Sequence, residues 1–298
     1  MLLATLVWGF APVLYRALDH VRPDEIVAHR VIWSSVFFAT VIGMQGRLGD
    51  LVAVFRRRAV ALRIIVAAAL IFANWGLFIY AIINGQALQA GFAYYIFPIV
   101  AVAFGVLLFR ERLRRAQWLA LCLVVAGIAV FGQALGGFPT LSLVLAVTFA
   151  LYGIAKRGMD VGPVLSVTAE TAVVTPLAIV WIVVLFAQPA FSPVFLSNGW
   201  DSFLLILSGP LTGGPMILFS YAARRIGYAT LGLIQYVNPT LQTMVAVLIF
   251  AEPFTNRHLW ALGLIWVALA IYSVSAFRQE RAARRAATAA GTSPTIVT

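Results

Sequence analysis

Apolar residues in this chain come in long runs, interrupted by short polar stretches, at roughly 2–18, 25–44, 62–82, 88–109, 116–134, 138–157, 164–187, 202–222, 229–250 and 257–277. Each run is near the twenty or so residues a helix needs to cross a hydrocarbon core about 30 Å thick. None reads as the ten-residue alternating strands of a membrane barrel. The pattern predicts ten transmembrane helices in an all-α polytopic membrane protein. Little chain lies outside the runs, so no soluble domain of useful size is expected.

Two of the runs are nearly the same sentence. "GFAYYIFPIVAVAFGVLLFRE" (91–111) and "GLIQYVNPTLQTMVAVLIFAE" (232–252) open on Gly, hold Tyr and Pro three residues apart, and close on Glu. Tyr95, Pro98 and Glu111 return as Tyr236, Pro239 and Glu252, each 141 positions on. The same offset matches "LFIYA" (77–81) to "LFSYA" (218–222), Ala120-Leu121 to Ala261-Leu262, and Arg16 to Arg157. The chain therefore reads as two five-helix repeats, 1–137 and 138–277, followed by a basic, Ala-rich cytoplasmic tail, 278–298, expected to be disordered. Five is odd, so the second copy enters the membrane from the opposite side and the repeats are inverted. Halves of that kind can exchange conformations, opening one face and then the other, around a site near the midplane.

Composition fits this class: 62% hydrophobic, 10% charged, mean hydropathy +0.98. The net charge of +11 would suit a nucleic acid, but its distribution argues otherwise. Of the 21 Lys and Arg, all but Arg16, Arg22, Arg30 and Arg257 fall on one side of the ten-span topology. That is the positive-inside bias, and it places both termini in the cytoplasm. Cys122 is the one cysteine, so neither a disulfide framework nor a thiolate metal cluster is expected. Segment 1–18 lacks the basic lead and small-residue cleavage site of a cleavable signal. It is short and opens on Met1, and a start inside the true first helix is one reading of it.

Polar residues inside the runs are the candidate site. Pro98 and Pro239 fall mid-run, where each removes a backbone donor and frees the carbonyl four residues earlier, at Tyr94 and Gln235. They are read as kinks for packing or as interruptions for a ligand; Tyr95, Tyr236 and Asn238 beside them favour the second. Glu170 lies about seven residues into its run, roughly 10 Å along a helix, where a carboxylate must pair, protonate or face the interior. It is either a structural ion-pair partner or a proton-coupling or ammonium-binding group. His29 sits at the equivalent place in the first half and can change charge near neutral pH. Arg30 follows, with a substrate carboxylate or Glu25 as its partner. Asp24 and Glu25 suit the start of the second helix. Asn74 calls for a hydrogen-bond partner, in the protein or in a ligand. Trp8 and Trp33 line a cavity or pack against lipid, and Trp75 and Tyr80 share the third helix with Asn74. Glu111 and Glu252 make salt bridges or cap the next helix, and Gly213-Gly214-Pro215 is a hinge or a packing notch.

"WGFAPVLYRAL", "PDEIVAHRVIWS", "NWGLFIYAIINGQALQAGFAYYIFPIVAVAFGVLLFRERLRRAQWLA" and "YATLGLIQYVNPTLQTMVAVLIFAEPF" resemble the RarD subgroup of EamA-type transporters, in the drug/metabolite transporter superfamily. The resemblance covers nearly all of 1–277. It implies a bacterial inner-membrane carrier with ten helices and two EamA repeats. It names no substrate beyond a proposed link to chloramphenicol handling. The chain departs from the pattern by lacking the short cytoplasmic lead before the first helix.

The expected function is thus secondary transport of a small metabolite or drug by alternating access, as export. The expected substrate-binding set is Trp8, His29, Arg30, Asn74, Trp75, Tyr94, Tyr95, Glu170, Gln235, Tyr236 and Asn238, with Pro98 and Pro239 as helix kinks. A passive channel or facilitator is the alternative, although no filter-like motif is present. An intramembrane enzyme is a weaker one, since neither HExxH nor GxSxG occurs. No phosphate-binding glycine loop is present, so ATP is not the energy source and no cofactor or metal is expected. The partners are a small-molecule substrate, the lipid bilayer and, as a coupling ion, protons; no nucleic acid is expected, and the oligomeric state stays open.

Overall fold

A computed structural model of the chain describes residues 1–109, 115–157, 159–189, 191–223 and 234–289. Among the described residues all regular structure is helical. In chain order the helices are α1 (Leu2–Ala17), α2 (Pro23–Met44), α3 (Leu48–Arg56), α4 (Arg58–Ile83), α5 (Ala87–Phe109), α6 (Arg115–Leu135), α7 (Thr140–Lys156), α8 (Pro163–Phe186), α9 (Gly199–Ala223), α10 (Val237–Met244) and α11 (Asn256–Ala289), with a π-helical turn at Val245–Ile249. Seven of these, α2, α4, α5, α6, α8, α9 and α11, are long and apolar enough to cross a membrane. Leu2–Ala17, Thr140–Lys156 and Val237–Ile249 are apolar but shorter. The protein is a multi-pass helical membrane protein, and large apolar side chains such as Leu62, Leu107, Leu177, Val180 and Trp260 are exposed on its outside, where lipid is their natural solvent.

Local chemistry explains where the helices begin. α2 has Pro23 in its first turn and Asp24 and Glu25 beside it. Proline's missing donor costs nothing there, and the acids suit the positive helix end. Arg22, just before, grips Asp24 through two bonds of 3.0 and 2.7 Å. α8 likewise opens on a proline, Pro163.

Three features depart from the sequence reading. The short helix α3 was not anticipated, because its nine residues carry too few apolar positions to register as a run. In the described part of the ninth run the helix is interrupted at Tyr236, so Pro239 falls in the first turn of α10 rather than mid-helix. Its missing donor is free of cost there, whereas Pro98 lies inside α5. Finally, α11 continues past Arg278 to Ala289, so the expected disordered tail starts as helix; its alanines are the strongest helix formers.

Packing alternates between the two halves of the chain. α1 packs on α9 and α10, α2 on α8 and α9, α4 on α7 and α8, α5 on α7 and α10, and α6 on α11. Small residues set the closest approaches. A Cβ on Gly209 would come within 2.6 Å of the Trp33 carbonyl oxygen, and one on Gly213 would strike the Phe37 ring. The Gly213-Gly214-Pro215 stretch is therefore a packing notch within a continuous α9. Gly127 fits against Ile265 in the same way at the α6–α11 contact, and Phe92 of α5 stacks on Phe131 of α6 with centroids 3.5 Å apart.

Candidate functional site

α2 carries the most unusual polar chemistry in the bundle. Arg30 is buried, with only 9% of its surface exposed. Its Nε donates to Thr212 Oγ1 on α9 at 3.0 Å. The guanidinium lies over the Trp75 ring, 4.3 Å from the centroid, and 5.4 Å from that of Tyr15. Tyr94 stands within reach of its charge, held edge-on between Phe78 and Phe149. Helices α1, α2, α4, α5 and α9 thus converge on one cation, and Arg30 Nη1 has no hydrogen-bond partner among the described residues.

No ion pair among the described residues includes Arg30. The nearby Glu25 instead accepts from the Val194 N–H at 3.2 Å, so it is not the partner. Ring faces recover about 0.5–2 kcal/mol each for a cation. Taking an unpaired ion out of water costs several kcal/mol. The rings alone leave Arg30 short of compensation.

Three neighbours on α2 share this shortage. His29, 5% exposed, has neither ring nitrogen bonded, and Trp33 Nε1 and Ser34 Oγ are also without partners. His29 stacks on Phe195 with centroids 4.5 Å apart, and Trp33 meets the same ring at 6.1 Å. Phe195 comes from the segment between α8 and α9 and covers that face of α2.

Glu170 has the opposite surroundings. It is 1% exposed and fully engaged: Lys156 Nζ at 2.8 Å, Ser166 Oγ donating at 2.7 Å and Tyr152 donating at 2.9 Å. Lys156 also bonds Tyr152. Nothing in this arrangement waits for a ligand.

The remaining expected residues are mostly tied to the protein. Asn74 donates to the Leu145 carbonyl and to Thr148 Oγ1, both at 2.9 Å, joining α4 to α7. Tyr95 donates to Thr240 at 3.0 Å, joining α5 to α10. Asn238 accepts from Gln242 at 3.1 Å, and the Tyr236 carbonyl accepts from Thr240. Trp8 packs on Phe219, and Gln235 is half-buried beside the interruption at Tyr236. The structure thus gathers Arg30, Trp75 and Tyr94 into one place and scatters the rest. Sequence reading missed Tyr15 and Thr212, whose hydroxyls barely disturb the hydropathy of their runs, and Phe195, an apolar residue in the connection between α8 and α9. It also missed Lys156, although that residue stands 141 positions after Tyr15.

One end of the bundle, the end that the expected ten-span topology places outside, is tied together by contacts between the halves. Glu252 accepts from the N–H groups of Ala87 and Leu88 at 2.6 and 2.7 Å, capping α5 rather than the helix that follows it. Burial pushes its carboxyl above the usual range, against the pull of those two donors and of Arg16. Arg16 bonds the Ile83 carbonyl and lies over Phe250, and His20 meets Asp201 at 3.0 Å. Glu111, the repeat partner of Glu252, lies outside the described residues.

Comparison with known proteins agrees with this architecture. Residues 1–133 match the EamA-like transporter family. An uncharacterized transporter of Pseudomonas aeruginosa is 37% identical over 284 residues, 94% of each chain. Protein RarD of Escherichia coli is 34% identical over 282 residues, again 94% of each. A crystal structure with 20% identity superposes with a TM-score of 0.60, covering 93% of this chain and 96% of its own, a likeness of fold alone. The relatives cover the whole bundle, and the chain belongs to the EamA-like transporter family, in the group that carries the name RarD.

Proposed function

We propose that this protein is a secondary transporter that moves a small metabolite or drug across the bacterial inner membrane by alternating access, with ten spans, inverted repeats and both termini in the cytoplasm. The observation that carries this reading is the way the helix packings pair up. Shifting residue numbers by 141 turns α1 into α7, α2 into α8, α4 into α9 and α5 into α10. It then turns the α1–α10 contact into α7–α5, α2–α9 into α8–α4, and α4–α7 into α9–α1, all of which occur. An assembly built from equivalent halves has two equivalent ways to open. The closed end supports a resting form whose cargo enters from the cytoplasmic side, and export is the direction we assign. Neither catalysis nor a cofactor is part of this reading; protons remain the candidate coupling ion.

Proteoliposomes loaded with a bacterial metabolite extract test it. A carrier gives saturable efflux of particular compounds, accelerated when the same compound is present outside. Efflux linear in concentration with no such acceleration would make the protein a channel. Single cysteines at Asn84 and Asn198 should be labelled from outside and one at Arg57 from inside; labelling of Asn84 only from inside would overturn the ten-span topology.

A further inference from the structure

We infer that Arg30, with Trp75, Tyr15 and Thr212 around it, is the anchoring point for the carboxylate of a small organic anion bearing an apolar or aromatic body. This rests on the transporter reading above and specifies the class of its cargo.

The first argument is charge. A guanidinium presents five N–H donors in a fixed fork and has no acceptor of its own, so burial leaves Arg30 dependent on acceptors around it. Thr212 takes only its Nε. Nη1, on a side chain nine-tenths buried, is left with no acceptor. A buried donor without a partner marks a missing group, and for a guanidinium the best-matched group is a carboxylate.

Position is the second argument. Arg30, Tyr15 and Trp75 come from the first half of the chain and Thr212 from the second. A ligand bound there touches both bodies that must move, as cargo in an alternating-access carrier does. The ring faces of Trp75 and Tyr15 favour an apolar body next to the charged head.

The molecule's other half supplies the third argument. His29 corresponds to Glu170 and Tyr15 to Lys156 by the 141-residue offset. Where the second half holds a half-buried cation, Lys156, it supplies its own buried carboxylate at 2.8 Å. The first half buries a cation and puts a neutral-capable imidazole and a phenol at the corresponding places. No carboxylate among the described residues pairs with Arg30, so the acid we assign to it is the ligand's.

The test uses the full chain in an uncharged maltoside detergent, so that no lipid headgroup supplies the anion. Thermal unfolding and tryptophan fluorescence are followed with 3-phenylpropionate, 3-phenylpropionamide and 3-phenylpropylamine, and with benzoate and phenylacetate beside their amides. At least one carboxylate should raise the melting temperature saturably, with its amide and the amine having at least tenfold weaker effects. Arg30→Gln should remove that preference without lowering the unliganded melting temperature, and Arg30→Lys should keep part of it. Trp75→Leu should weaken the carboxylate several-fold, which provides a reading even if Arg30→Gln does not fold. Equal responses to every acid and its amide, or unchanged carboxylate binding in Arg30→Gln or in Trp75→Leu, would overturn the inference. Carboxylate binding without counterflow would reject the transporter reading alone; counterflow of only neutral or cationic compounds, indifferent to Arg30→Gln, would reject the anion site alone.

Discussion

Arg30 and Glu170 lie at neighbouring places in the repeat, equally deep in helices of similar sequence environment, yet their surroundings are opposite. Glu170 meets a lysine and two hydroxyls within 2.9 Å; Arg30 meets two ring faces and one hydroxyl. A closed circuit of charge holds a structure together. An open one is a binding site waiting for its other half. By the 141-residue offset Tyr15 stands against Lys156 and His29 against Glu170, and on the proposed two-repeat reading those four differences set the halves apart.

Removing a partner from the closed circuit should do the most damage. Breaking a fully buried pair costs about 3–5 kcal/mol; Lys156 retains 21% exposure of its side chain, which places the cost toward the lower end. Glu170→Gln is therefore expected to lower membrane abundance and melting temperature clearly, while protein that survives still transports. Adding Lys156→Met should recover most of the loss. Normal abundance with abolished flux would instead make Glu170 a coupling group and erase the contrast.

The prolines should separate next. Pro98→Ala repairs the backbone ladder inside α5 and is expected to reduce flux severalfold at normal insertion. Pro239→Ala, in the first turn of α10, should change flux by less than twofold. Equal losses in both would argue that both helices work as kinks.

Trp75→Phe, which keeps a ring under Arg30 with a weaker quadrupole, should weaken carboxylate binding by about two- to fivefold, roughly the 0.5–1 kcal/mol between aromatic faces. An unchanged affinity would remove the cation–ring contact from the account.

Smallest is the pH response of the outer contact. Burial holds the Glu252 carboxyl above its ordinary value, so the closed form binds a proton more tightly than an open, hydrated one. Acidification through the carboxylate range should then favour the closed form, and raising the pH should release it. Accessibility of a cysteine at Asn84 to an impermeant reagent measures this; Glu252→Gln should flatten the profile.

Much of the architecture was legible because its causes are local. Run lengths and the proline and acids opening α2 each act within one segment of the chain, and each places a helix the structure contains. The nine residues of α3 and the interruption at Tyr236 were not, because neither disturbs the hydropathy of its surroundings. At the site, Arg30 and Trp75 stood out as polar or aromatic groups in an apolar run. Their setting did not: whether Arg30 meets Glu25 or Thr212 depends on α9 crossing α2 at Gly209 and Gly213, a contact between residues some 180 positions apart. Glu170 looked available for a ligand until Lys156, Tyr152 and Ser166 were seen to occupy it.

The central claim, that the first half leaves its buried cation for the cargo, is tested most directly by closing the circuit from within. Thr212 Oγ1 already sits 3.0 Å from Arg30 Nε, so Thr212→Asp places a carboxylate where Arg30 can use it, with Thr212→Asn as the neutral control. The measurement is the melting temperature of each protein with and without 3-phenylpropionate or whichever carboxylate stabilises the unaltered chain. The account predicts that Thr212→Asp melts higher than the control and no longer responds to the carboxylate. An aspartate variant that melts lower than the asparagine control, or that responds to the carboxylate as the unaltered chain does, would contradict it.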